Sequence, residues 1–411
     1  MKFLYNFFIL VIIIMSPIII IIRILKKKEH PRRFLEKFSL IKKKRGSGNL
    51  IWFHCSSVGE FLSIVPIIKK LEKSNKVRNI LLTSSTLSSS NLFNKFKFKK
   101  TTHQFYPIDN IIIANKFLNH WKPTVAFFVE SEIWPEMIDA IKKKNIKIIL
   151  LNARISKNTF KKWKYIRQTA SKTFKKFDYI FPQNIETQKF LRELGVLNQK
   201  FLGNLKFAEF EEKKKFKIKK NFFKKTVLIC AASTHGNEED IISDVHIQIK
   251  KKIKNLVTII IPRHIDRSKE IIEIFKKKKL NFICRTSNKL INEKTDIFLV
   301  DAYGENKMFY KLSKVVFIGG TLVPKGGQNP LEAVRYGCKI VHGNYIDNFK
   351  DVFKFLDLKG ISFKARNKSD LKKNILQLLK KNINNRKLIN NFKTIGNKIL
   401  LKNFKEIIKF I

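Results

Sequence analysis

The stretch "LIWFHCSSVGEF", residues 50–61, decides the fold class because it joins two different kinds of element. Residues 50–54 form a short apolar run of the length expected for a buried strand, and a second apolar run follows at 62–68. Between these runs, Gly59 permits a tight turn with a positive φ, and the carboxylate Glu60 begins a helix. The stretch therefore predicts a strand that leads into a helix, with one carboxylate at the junction.

The same alternation recurs along most of the chain. Short apolar runs separated by stretches of helical length predict a doubly wound parallel sheet, an α/β fold. In the first half the predicted strands are 50–54, 79–83, 124–129, 147–151 and 179–181. In the second half they are 226–231, 256–261, 281–284, 297–300, 315–318 and 339–341. We therefore predict two Rossmann-like domains facing a cleft, with ligands at the carboxyl ends of the strands.

The domain boundaries follow from composition. The 411 residues are too many for one ordinary core, so at least two domains are expected. Residues 207–225 are rich in lysine and show no strand pattern, which is typical of a linker. We predict an N-terminal domain over 26–206 and a C-terminal domain over 226–411, whose last helix is a candidate to cross back to the first domain.

Residues 1–25 predict a membrane anchor helix. Residues 3–22 contain no charged side chain, and a helix of that length rises about 30 Å, the thickness of the hydrocarbon core of a bilayer. Six basic residues lie between positions 23 and 33, whereas only Lys2 precedes the run. The positive-inside rule then keeps the downstream chain in the cytoplasm. A cleaved signal peptide is disfavoured because no A-x-A-like site follows the run, while a helix that dips into only one leaflet stays open.

The composition restricts the partners without naming one. The chain has 85 Lys and Arg against 32 Asp and Glu, a formal net charge of +53. Such a surface attracts nucleic acid, an acidic membrane face or phosphorylated substrates, although a sequence-wide lysine bias on solvated faces is the simpler explanation of any one run of lysine. The four cysteines are far apart and form no C-x-x-C pair. This pattern disfavours a zinc site or a disulfide framework and fits a reducing, cytosolic setting.

Carboxylates follow two predicted strands of the first half. Glu60 either acts as a general base or only favours the helix dipole at the first turn. The segment "ESEIWPE", residues 130–136, carries Glu130 and Glu132 beside a Trp-Pro pair. Two carboxylates at one strand end are unusual for a plain loop, so we expect at least one to belong to a site, while the other can be structural.

Two basic residues of the first half are weaker candidates. Arg154, in the segment "NARIS" at 152–156, either binds an anion or pairs with one of the glutamates. Lys206, in the segment "GNLKF" at 203–207, is one lysine among very many. Residue type alone does not distinguish Lys206 from the others.

The second half places polar residues after its strands too. In "AASTHGNEED", residues 231–240, Ser233 and Thr234 are typical helix caps before a helix with early acids, and His235 is a candidate to face the cleft. In "IPRH", residues 261–264, the planar guanidinium of Arg263 suits a phosphate group, with a surface salt bridge as the alternative.

The glycine-rich segment "FIGGTLVPKGGQNPLEA", residues 317–333, is the most specific one. Two glycine pairs bracket a loop, and Asn329 and Pro330 open a helix, where backbone N–H groups bind phosphate. Glu332 in the first turn can accept hydrogen bonds from ribose hydroxyls. The segment is neither G-x-G-x-x-G nor a Walker loop, and the chain contains no D-x-D, the usual sign of a metal-held nucleotide diphosphate.

These segments together resemble one enzyme family. The chain contains, in this order, the blocks HCSSVGE, ESEIWPE, NARIS, GNLKF, ASTHGNEE, PRH and GGTLVPKGGQNPLEA. In order and content they resemble the 3-deoxy-D-manno-octulosonic acid (Kdo) transferases of lipid A, glycosyltransferase family 30, from the membrane segment to about Asp351. The resemblance implies the GT-B architecture and transfer of Kdo from CMP-Kdo to the glucosamine disaccharide of a lipid A precursor (lipid IVA) in the biosynthesis of lipopolysaccharide.

The resemblance also implies roles for individual residues. Glu60 would be the general base that takes the proton from the 6′-hydroxyl of the acceptor, and Glu130 and Lys206 would stabilise the transition state. The matched CMP-Kdo positions are Pro262, Arg263, Tyr303, Gly304, Glu305, Asn329, Pro330, Leu331 and Glu332. The implied reaction is inverting, needs no metal or other cofactor, and takes place on the cytoplasmic side of the inner membrane without nucleic acid.

Three positions depart from the family pattern. Gln328 stands where the family usually has His, and Ser131 and Glu136 replace the more common Thr and Asn. These departures bear on donor contacts and acceptor preference. The competing interpretations are another GT-B enzyme, such as a lipid A disaccharide synthase using a UDP-sugar, and a membrane-tethered protein that binds nucleic acid through its lysines.

Overall fold

The computed structural model describes residues 2–208, 226–287, 289–380 and 385–411. Most of the predicted linker, from 209 onward, therefore lies outside the described residues. The contacts within the chain divide it into two units, one of Met1–Glu211 with Ile395–Ile411 and the other of Glu212–Thr394. Each unit is built on one parallel sheet with helices around it.

The first unit contains a sheet of six parallel strands in the order β3-β2-β1-β4-β5-β6. The strands are β1 (Leu50–His54), β2 (Asn79–Ser84), β3 (Thr101–Phe105), β4 (Val125–Val129), β5 (Lys147–Ala153) and β6 (Tyr179–Pro182). This strand order reverses at β1 and β4, where a doubly wound sheet places its ligands. Five of the six strands are predicted by apolar runs. The edge strand β3 is not, because its sequence TTHQF has no such run.

Helices cover both faces of this sheet. The α-helices described between residues 2 and 208 are α1 (Lys2–Leu25), α2 (Val58–Glu72), α3 (Leu87–Phe93), α4 (Ile111–Trp121), α5 (Pro135–Lys143), α6 (Lys157–Tyr165), α7 (Arg167–Phe174) and α8 (Ile185–Glu193). Because side chains alternate across a strand, Trp52 and Phe128 enter one core cluster while Phe53 and Phe127 enter the other. Both faces of the central strands are therefore buried.

The second unit contains a sheet of seven parallel strands in the order β13-β12-β11-β7-β8-β10-β9. The strands are β7 (Val227–Thr234), β8 (Leu256–Pro262), β9 (Phe282–Cys284), β10 (Ile297–Leu299), β11 (Val315–Ile318), β12 (Lys339–His342) and β13 (Ser362–Lys364). The further helices along the chain are α9 (Glu238–Lys250), α10 (Ser268–Lys277), α11 (Asn306–Leu312), α12 (Leu331–Arg335), α13 (Lys350–Leu358), α14 (Lys368–Lys380) and α15 (Asn385–Ile407). Of the seven strands described in this unit, sequence patterns predict all except β13, a three-residue edge strand.

The carboxyl terminus belongs to the first unit. Leu400 and Ile407 of α15 lie in the core cluster beneath α2 and β1, and Lys200 Nζ lies 2.8 Å from Glu406 Oε1. Gly203 has φ +96° and approaches Ile399 so closely that an added Cβ would come within 2.9 Å of it. The last residues of the chain therefore pack against the segment that leads to Lys206.

Within the described ranges, α1 is the one helix long and apolar enough to cross a membrane. Its composition explains this property, since Leu4–Leu25 contains a single charged residue, Arg23. Length and composition alone do not fix how such a helix meets a bilayer.

Candidate active site

Glu60 lies at the carboxyl end of β1, in the first turn of α2. The Ser57 side chain caps this helix by accepting the N–H of Glu60 at 3.3 Å. In return, the Glu60 carboxylate accepts the N–H of Ser56 at 2.7 Å and of Ser57 at 3.4 Å, together with the Ser57 hydroxyl at 3.0 Å. This reciprocal capping box fixes the carboxylate at the edge of the sheet.

The surroundings of Glu60 make it a base suited to neutral pH. Burial raises the pKa of the Glu60 carboxyl to about 7, and the charges of Glu130 and Glu132 add to this effect. The N–H of Ser56 and the hydroxyl of Ser57 act in the opposite direction. A general base works best when its pKa lies near the working pH, so this carboxylate can accept a proton from a bound hydroxyl group.

The predicted conformation of Gly59 is wrong. Gly59 lies inside α2 and is not among the described residues with a positive φ. The turn is made by the residues before the helix, where Ser57 has an extended backbone. A Cβ added at Gly59 would meet no described atom within 4 Å, so glycine here leaves open space beside Glu60 rather than bending the chain.

Glu130 and Lys206 form a buried ion pair in the first unit. The Lys206 ammonium lies 2.7 Å from Glu130 Oε1, and the two side chains are 12% and 6% exposed. Glu130 follows β4 with a left-handed φ of +61°, and its N–H and C=O bond to Leu151 and Arg154 of the neighbouring segment. The structure thus brings together two predicted site residues that are 76 positions apart in the sequence.

Asn152 supports this pair and is a residue that the sequence interpretation missed. Its Oδ1 accepts the N–H of Leu205 at 3.0 Å, and its Nδ2 lies 3.5 Å from Glu130 Oε1. Asn204 Oδ1 in turn accepts the N–H of Lys206 at 2.9 Å. Asn152 has a left-handed φ of +52° at the end of β5. The only sequence signal was its place in the NARIS block.

Glu132 has a structural role. Its Oε2 lies 2.9 Å from His54 Nε2 and accepts the Ser56 hydroxyl and the Trp134 indole N–H, both at 2.7 Å. The hydrogen bonds and charge of His54 and the bonds from Ser56 and Trp134 outweigh burial and lower the pKa of the Glu132 carboxyl. Of the two predicted carboxylates, Glu130 pairs with a lysine, and Glu132 ties the ends of β1 and β4 together.

His54 completes this network. Its Nε2 faces Glu132, and its Nδ1 lies 3.0 Å from Thr83 Oγ1 and 3.4 Å from the Thr83 C=O oxygen. Thr83 Oγ1 in turn accepts the Trp52 indole N–H at 2.9 Å, and its hydroxyl donates to the Phe53 C=O at 3.4 Å. His54 also stacks on Tyr106, with ring centroids 3.7 Å apart.

Replacing Glu132 with glutamine is expected to lower the stability of the protein by about 1–3 kcal/mol. The amide oxygen can take the place of Oε2, but hydrogen bonds from His54, Ser56 and Trp134 to a neutral oxygen are weaker than those to a carboxylate. Since the folded-state pKa of Glu132 is lowered, its contribution is present at neutral pH and is lost as the pH falls through that value. Thermal unfolding at neutral and acid pH should therefore show a gap between variant and native protein that narrows on acidification. Glu193→Gln, at an exposed position, is the control, and an equal gap at both pH values would contradict the prediction.

The expected pairing of Arg154 with a glutamate is not observed. The Arg154 N–H donates to the Glu130 C=O at 3.2 Å, and its C=O accepts the Ser131 hydroxyl at 3.0 Å. Among the described residues, however, its guanidinium forms no ion pair with a carboxylate. The backbone of Arg154 shapes the loop, and the anion-binding alternative stays a prediction.

In the second unit, the glycine-rich loop after β11 needs glycine for two reasons. Gly320, Gly326 and Gly327 have φ values of +69°, +77° and +75°, where other residues are strained. A Cβ at Gly319 would lie 2.1 Å from the C=O oxygen of Ser233. The loop ends where Asn329 Oδ1 accepts the N–H of Leu331 at 3.0 Å, and the helix begins at Leu331, one residue later than expected.

The expected caps at the start of α9 are wrong, and the difference reveals the support of this loop. Ser233 and Thr234 belong to β7, and the Asn237 side chain, at the cap position, makes no capping bond. Glu238 accepts the N–H groups of Gly320, Thr321 and Leu322 at 2.7, 3.1 and 3.0 Å. The first acid of the helix thus holds the glycine loop, 82 residues downstream.

The other predicted donor positions follow strands of the same sheet. Pro262 ends β8. Arg263 is exposed, and its N–H donates to the C=O of Thr234 at 2.9 Å. After β10, Tyr303 is 70% exposed and Gly304 has a φ of +85°. Because β10, β8, β7 and β11 are neighbours and parallel, the residues that follow them lie along one edge of the sheet.

Glu305 and Gln328 have partners that the sequence does not indicate. Glu305 forms a two-point ion pair with Arg285, with distances of 2.8 and 3.1 Å. Gln328, one of the three residues that depart from the family pattern, has its Nε2 3.4 Å from Nε2 of His235 in the ASTHGNEE block. Among the described residues, no group of three or more His, Cys, Asp or Glu side chains is arranged to hold a metal ion.

Comparison with known proteins shows the family of this chain. Residues 32–209 match the family model described as 3-deoxy-D-manno-octulosonic-acid transferase (kdotransferase), and residues 212–394 match glycosyl transferases group 1. Over 382 residues the chain is 31% identical to a 3-deoxy-D-manno-octulosonic acid transferase of Rickettsia bellii, covering 92% of this chain and 90% of the relative. A relative of the same name from Haemophilus influenzae is 28% identical over 360 residues, with 86% and 83% covered.

A solved structure shows the same fold at low identity. UDP-GlcNAc 2-epimerase from Neisseria meningitidis superimposes with a TM-score of 0.60 and 12% identity, covering 88% of this chain and 99% of that one. The two parallel-sheet α/β units and the matched models define a glycosyltransferase of GT-B-like architecture. Within this class, the chain belongs to the Kdo transferase family. The resemblance seen in the sequence is confirmed, and membership of this family replaces the disaccharide synthase and nucleic-acid interpretations.

Proposed function

We propose that this Kdo transferase uses CMP-Kdo as donor and the glucosamine disaccharide of a lipid A precursor as acceptor, at the cytoplasmic face of the inner membrane. The observation that carries the proposal is Glu60, a fixed carboxylate with a pKa of about 7. It lies at the carboxyl end of β1, where the strand order of the first sheet reverses. The apolar helix α1 and the basic residues that follow it suit an acceptor that carries acyl chains and phosphate groups.

In the proposed reaction, Glu60 is the general base. A sugar hydroxyl is a poor nucleophile, so a base within hydrogen-bond reach must take its proton as the new bond forms. The 6′-oxygen of the acceptor attacks C2 of Kdo, the bond from C2 to the phosphate oxygen breaks, CMP leaves, and the proton moves to Glu60. One displacement without a covalent intermediate inverts the configuration at C2, by analogy with inverting glycosidases.

Glu130 and Lys206 have the role of stabilising the transition state. Negative charge on the phosphate grows as CMP leaves, and a fixed positive group lowers the energy of that state. Support comes from the 2.7 Å pair with Glu130, which holds the Lys206 ammonium in one place. A preorganised charge of this kind needs no reorientation during the reaction.

The donor is proposed to bind along the carboxyl edge of the second sheet. The guanidinium of Arg263 offers a planar fork for phosphate oxygens, and the loop held by Glu238 presents the segment from Asn329 to Glu332. Tyr303, Gly304 and Glu305 complete the set, with Glu305 held by Arg285.

The direct test is the reaction itself. Purified full-length protein is incubated with CMP-Kdo and a tetra-acylated lipid A precursor, and the molecular mass of the lipid is measured by mass spectrometry. A mass gain of one or more Kdo units is expected. CMP should inhibit the reaction more strongly than UDP at equal concentration. No gain in mass, or equal inhibition by UDP, would contradict the assignment of acceptor or donor.

Replacing Glu238 with glutamine is expected to weaken donor binding. Glutamine retains one acceptor oxygen but places an amide N–H₂ against backbone donors, so the glycine loop loses part of its support. We expect KM for CMP-Kdo to rise about tenfold or more, corresponding to the 1–3 kcal/mol of an unsatisfied group, with a smaller change in KM for the acceptor. Glu273→Gln, at an exposed position of α10, is the control. Equal changes in both KM values would argue for a general loss of structure instead.

A further inference from the structure

One face of α1 is covered by protein, while its other faces are bare. The less exposed residues recur every three or four positions, the spacing of a single helix face. They are Tyr5, Ile9, Ile13, Ser16, Ile20, Arg23 and Ile24. Ser16 and Ile20 are only 6% and 8% exposed. A helix surrounded by lipid on all sides would show no such stripe.

The amino-terminal end of this stripe is bonded to the first unit. The Tyr5 hydroxyl donates to Asp109 Oδ2 at 2.5 Å. Asp109 also accepts the N–H groups of Glu136 and Met137 at 3.1 and 2.8 Å. It therefore caps α5, whose own cap residue, Trp134, makes no side-chain capping bond. The helix α5 directly follows the loop that carries Glu130 and Glu132, so α1 is tied to the segment that shapes the candidate active site.

The carboxyl-terminal end of α1 is tied as well. Arg23 Nε lies 3.2 Å from Glu29 Oε2, and Glu29 also pairs with Lys37. From Tyr5 to Arg23 the helix advances by 18 positions and rises about 27 Å, close to the thickness of a hydrocarbon core. If α1 crossed the bilayer, Tyr5 would lie on the side opposite to Arg23 and to Asp109. The bond from Tyr5 to Asp109 is incompatible with that arrangement.

The remaining surface of α1 is apolar and exposed. Its exposed large apolar residues are Leu4, Phe7, Phe8, Leu10, Val11, Ile12, Ile14, Met15, Ile18, Ile19, Ile21, Ile22 and Leu25. Soluble proteins rarely leave so large a continuous apolar patch in water. Three exposed lysines, at 26–28, follow directly and suit anionic lipid headgroups.

We propose that α1 lies in the plane of one leaflet, with its exposed apolar faces among the acyl chains and its Tyr5 stripe against the catalytic unit. The occupant of this surface is the lipid of a single leaflet, and the helix does not cross the membrane. This inference goes beyond the proposed function and does not depend on the donor. In this position, α1 holds α5 and the loop that carries Glu130 at the depth where the headgroup of an acylated acceptor lies.

Labelling of single cysteines tests which side of the membrane each end of α1 occupies. Lys2→Cys and Lys28→Cys variants of the full chain are treated with a membrane-impermeant maleimide, in intact spheroplasts of a Gram-negative host and after lysis. The native cysteines are buried or half-buried, and the unmodified chain measures their background. We expect no labelling of either variant from outside and labelling of both after lysis. Labelling of Lys2→Cys from outside, or its failure to label after lysis, would overturn the proposal.

Photocrosslinking tests the contact itself. Benzoylphenylalanine in place of Tyr5 should crosslink to peptides that contain Asp109 or the start of α5. The same probe in place of Phe8, on a bare face of the helix, should crosslink to lipid. Crosslinks from position 5 to lipid alone would show that the helix is not seated on the unit. Neither experiment requires transferase activity, so failure here is distinct from failure of the proposed reaction.

Discussion

The Glu60→Gln variant is expected to lose Kdo transfer by about 10²–10⁴ in kcat, the usual contribution of a general base, while it stays folded. Glutamine is the informative substitution because its Oε1 can still accept the N–H of Ser56, which the carboxylate accepts at 2.7 Å. Alanine would remove the base and the capping box together. Loss of activity in Glu60→Ala alone would therefore not separate catalysis from folding.

The raised pKa of Glu60 has opposite effects on activity and on stability as the pH rises. The native rate should fall about tenfold per pH unit below 7, because only the ionised carboxylate accepts a proton and the pKa of Glu60 is about 7. The raised pKa also means that burying the ionised form costs stability, and that cost grows as the pH rises through the folded-state value. Glu60→Gln avoids this cost, so it should melt at a higher temperature than native protein at pH 8 and at a similar one near pH 4.

Transfer assays and thermal unfolding across this pH range check both effects. Glu193→Gln, an exposed carboxylate of α8 in the same unit, is the control and should leave both unchanged. Full activity of Glu60→Gln would exclude Glu60 as the base. A lower melting temperature at pH 8 would indicate that the carboxylate is kept for stability instead.

Lys206→Met is expected to have the second largest effect, on folding and catalysis together. Removing the ammonium leaves the Glu130 carboxylate, 6% exposed, without its 2.7 Å partner. Breaking a buried ion pair in this way costs about 3–5 kcal/mol. The same substitution removes the charge proposed to stabilise the transition state, so kcat should fall by about 10² or more.

A double variant separates these two consequences. Glu130→Gln together with Lys206→Met removes the unpaired buried charge and should recover most of the lost thermal stability, but activity should not return. The control is Lys200→Met, because Lys200 lies in the same segment and forms an exposed pair with Glu406, which is worth little. Recovery of transfer in the double variant would show that the pair serves only the fold.

Apolar runs predict most of the fold because strands buried on both faces are nearly continuous in hydrophobic residues. β3 is an exception, because its sequence TTHQF contains no continuous apolar run. His103, in its centre, is buried through bonds to Ser84 at 2.9 Å and to Arg33 at 3.0 Å, so hydrogen bonds with distant residues replace apolar side chains. No local sequence pattern predicts hydrogen-bond partners that are distant in the chain.

The candidate site, like the fold, is predicted by local sequence patterns only in part. Glu60 can be found locally, because it stands where a strand meets a helix. The partnership of Glu130 with Lys206 cannot be found from spacing, and family resemblance alone indicated Lys206. The sequence predicts ordinary helix capping by Ser233 and Thr234, whereas the structure shows Glu238 accepting backbone N–H groups of the glycine loop. For Gly59 the sequence pattern suggests a role that the structure does not show. This glycine lies inside α2, and the residues before the helix make the turn.

The return of α15 to the first unit has a consequence for how the protein is made. Residues 212–394 contain the whole second unit, whereas the core of the first unit takes Leu400 and Ile407 from the end of the chain. During synthesis, which releases the chain from its amino terminus, the second unit has all its residues outside the ribosome before the first one does. The unit that carries Glu60 is therefore the last to be finished, and premature termination within the final 17 residues, 395–411, removes part of its core rather than a dispensable tail.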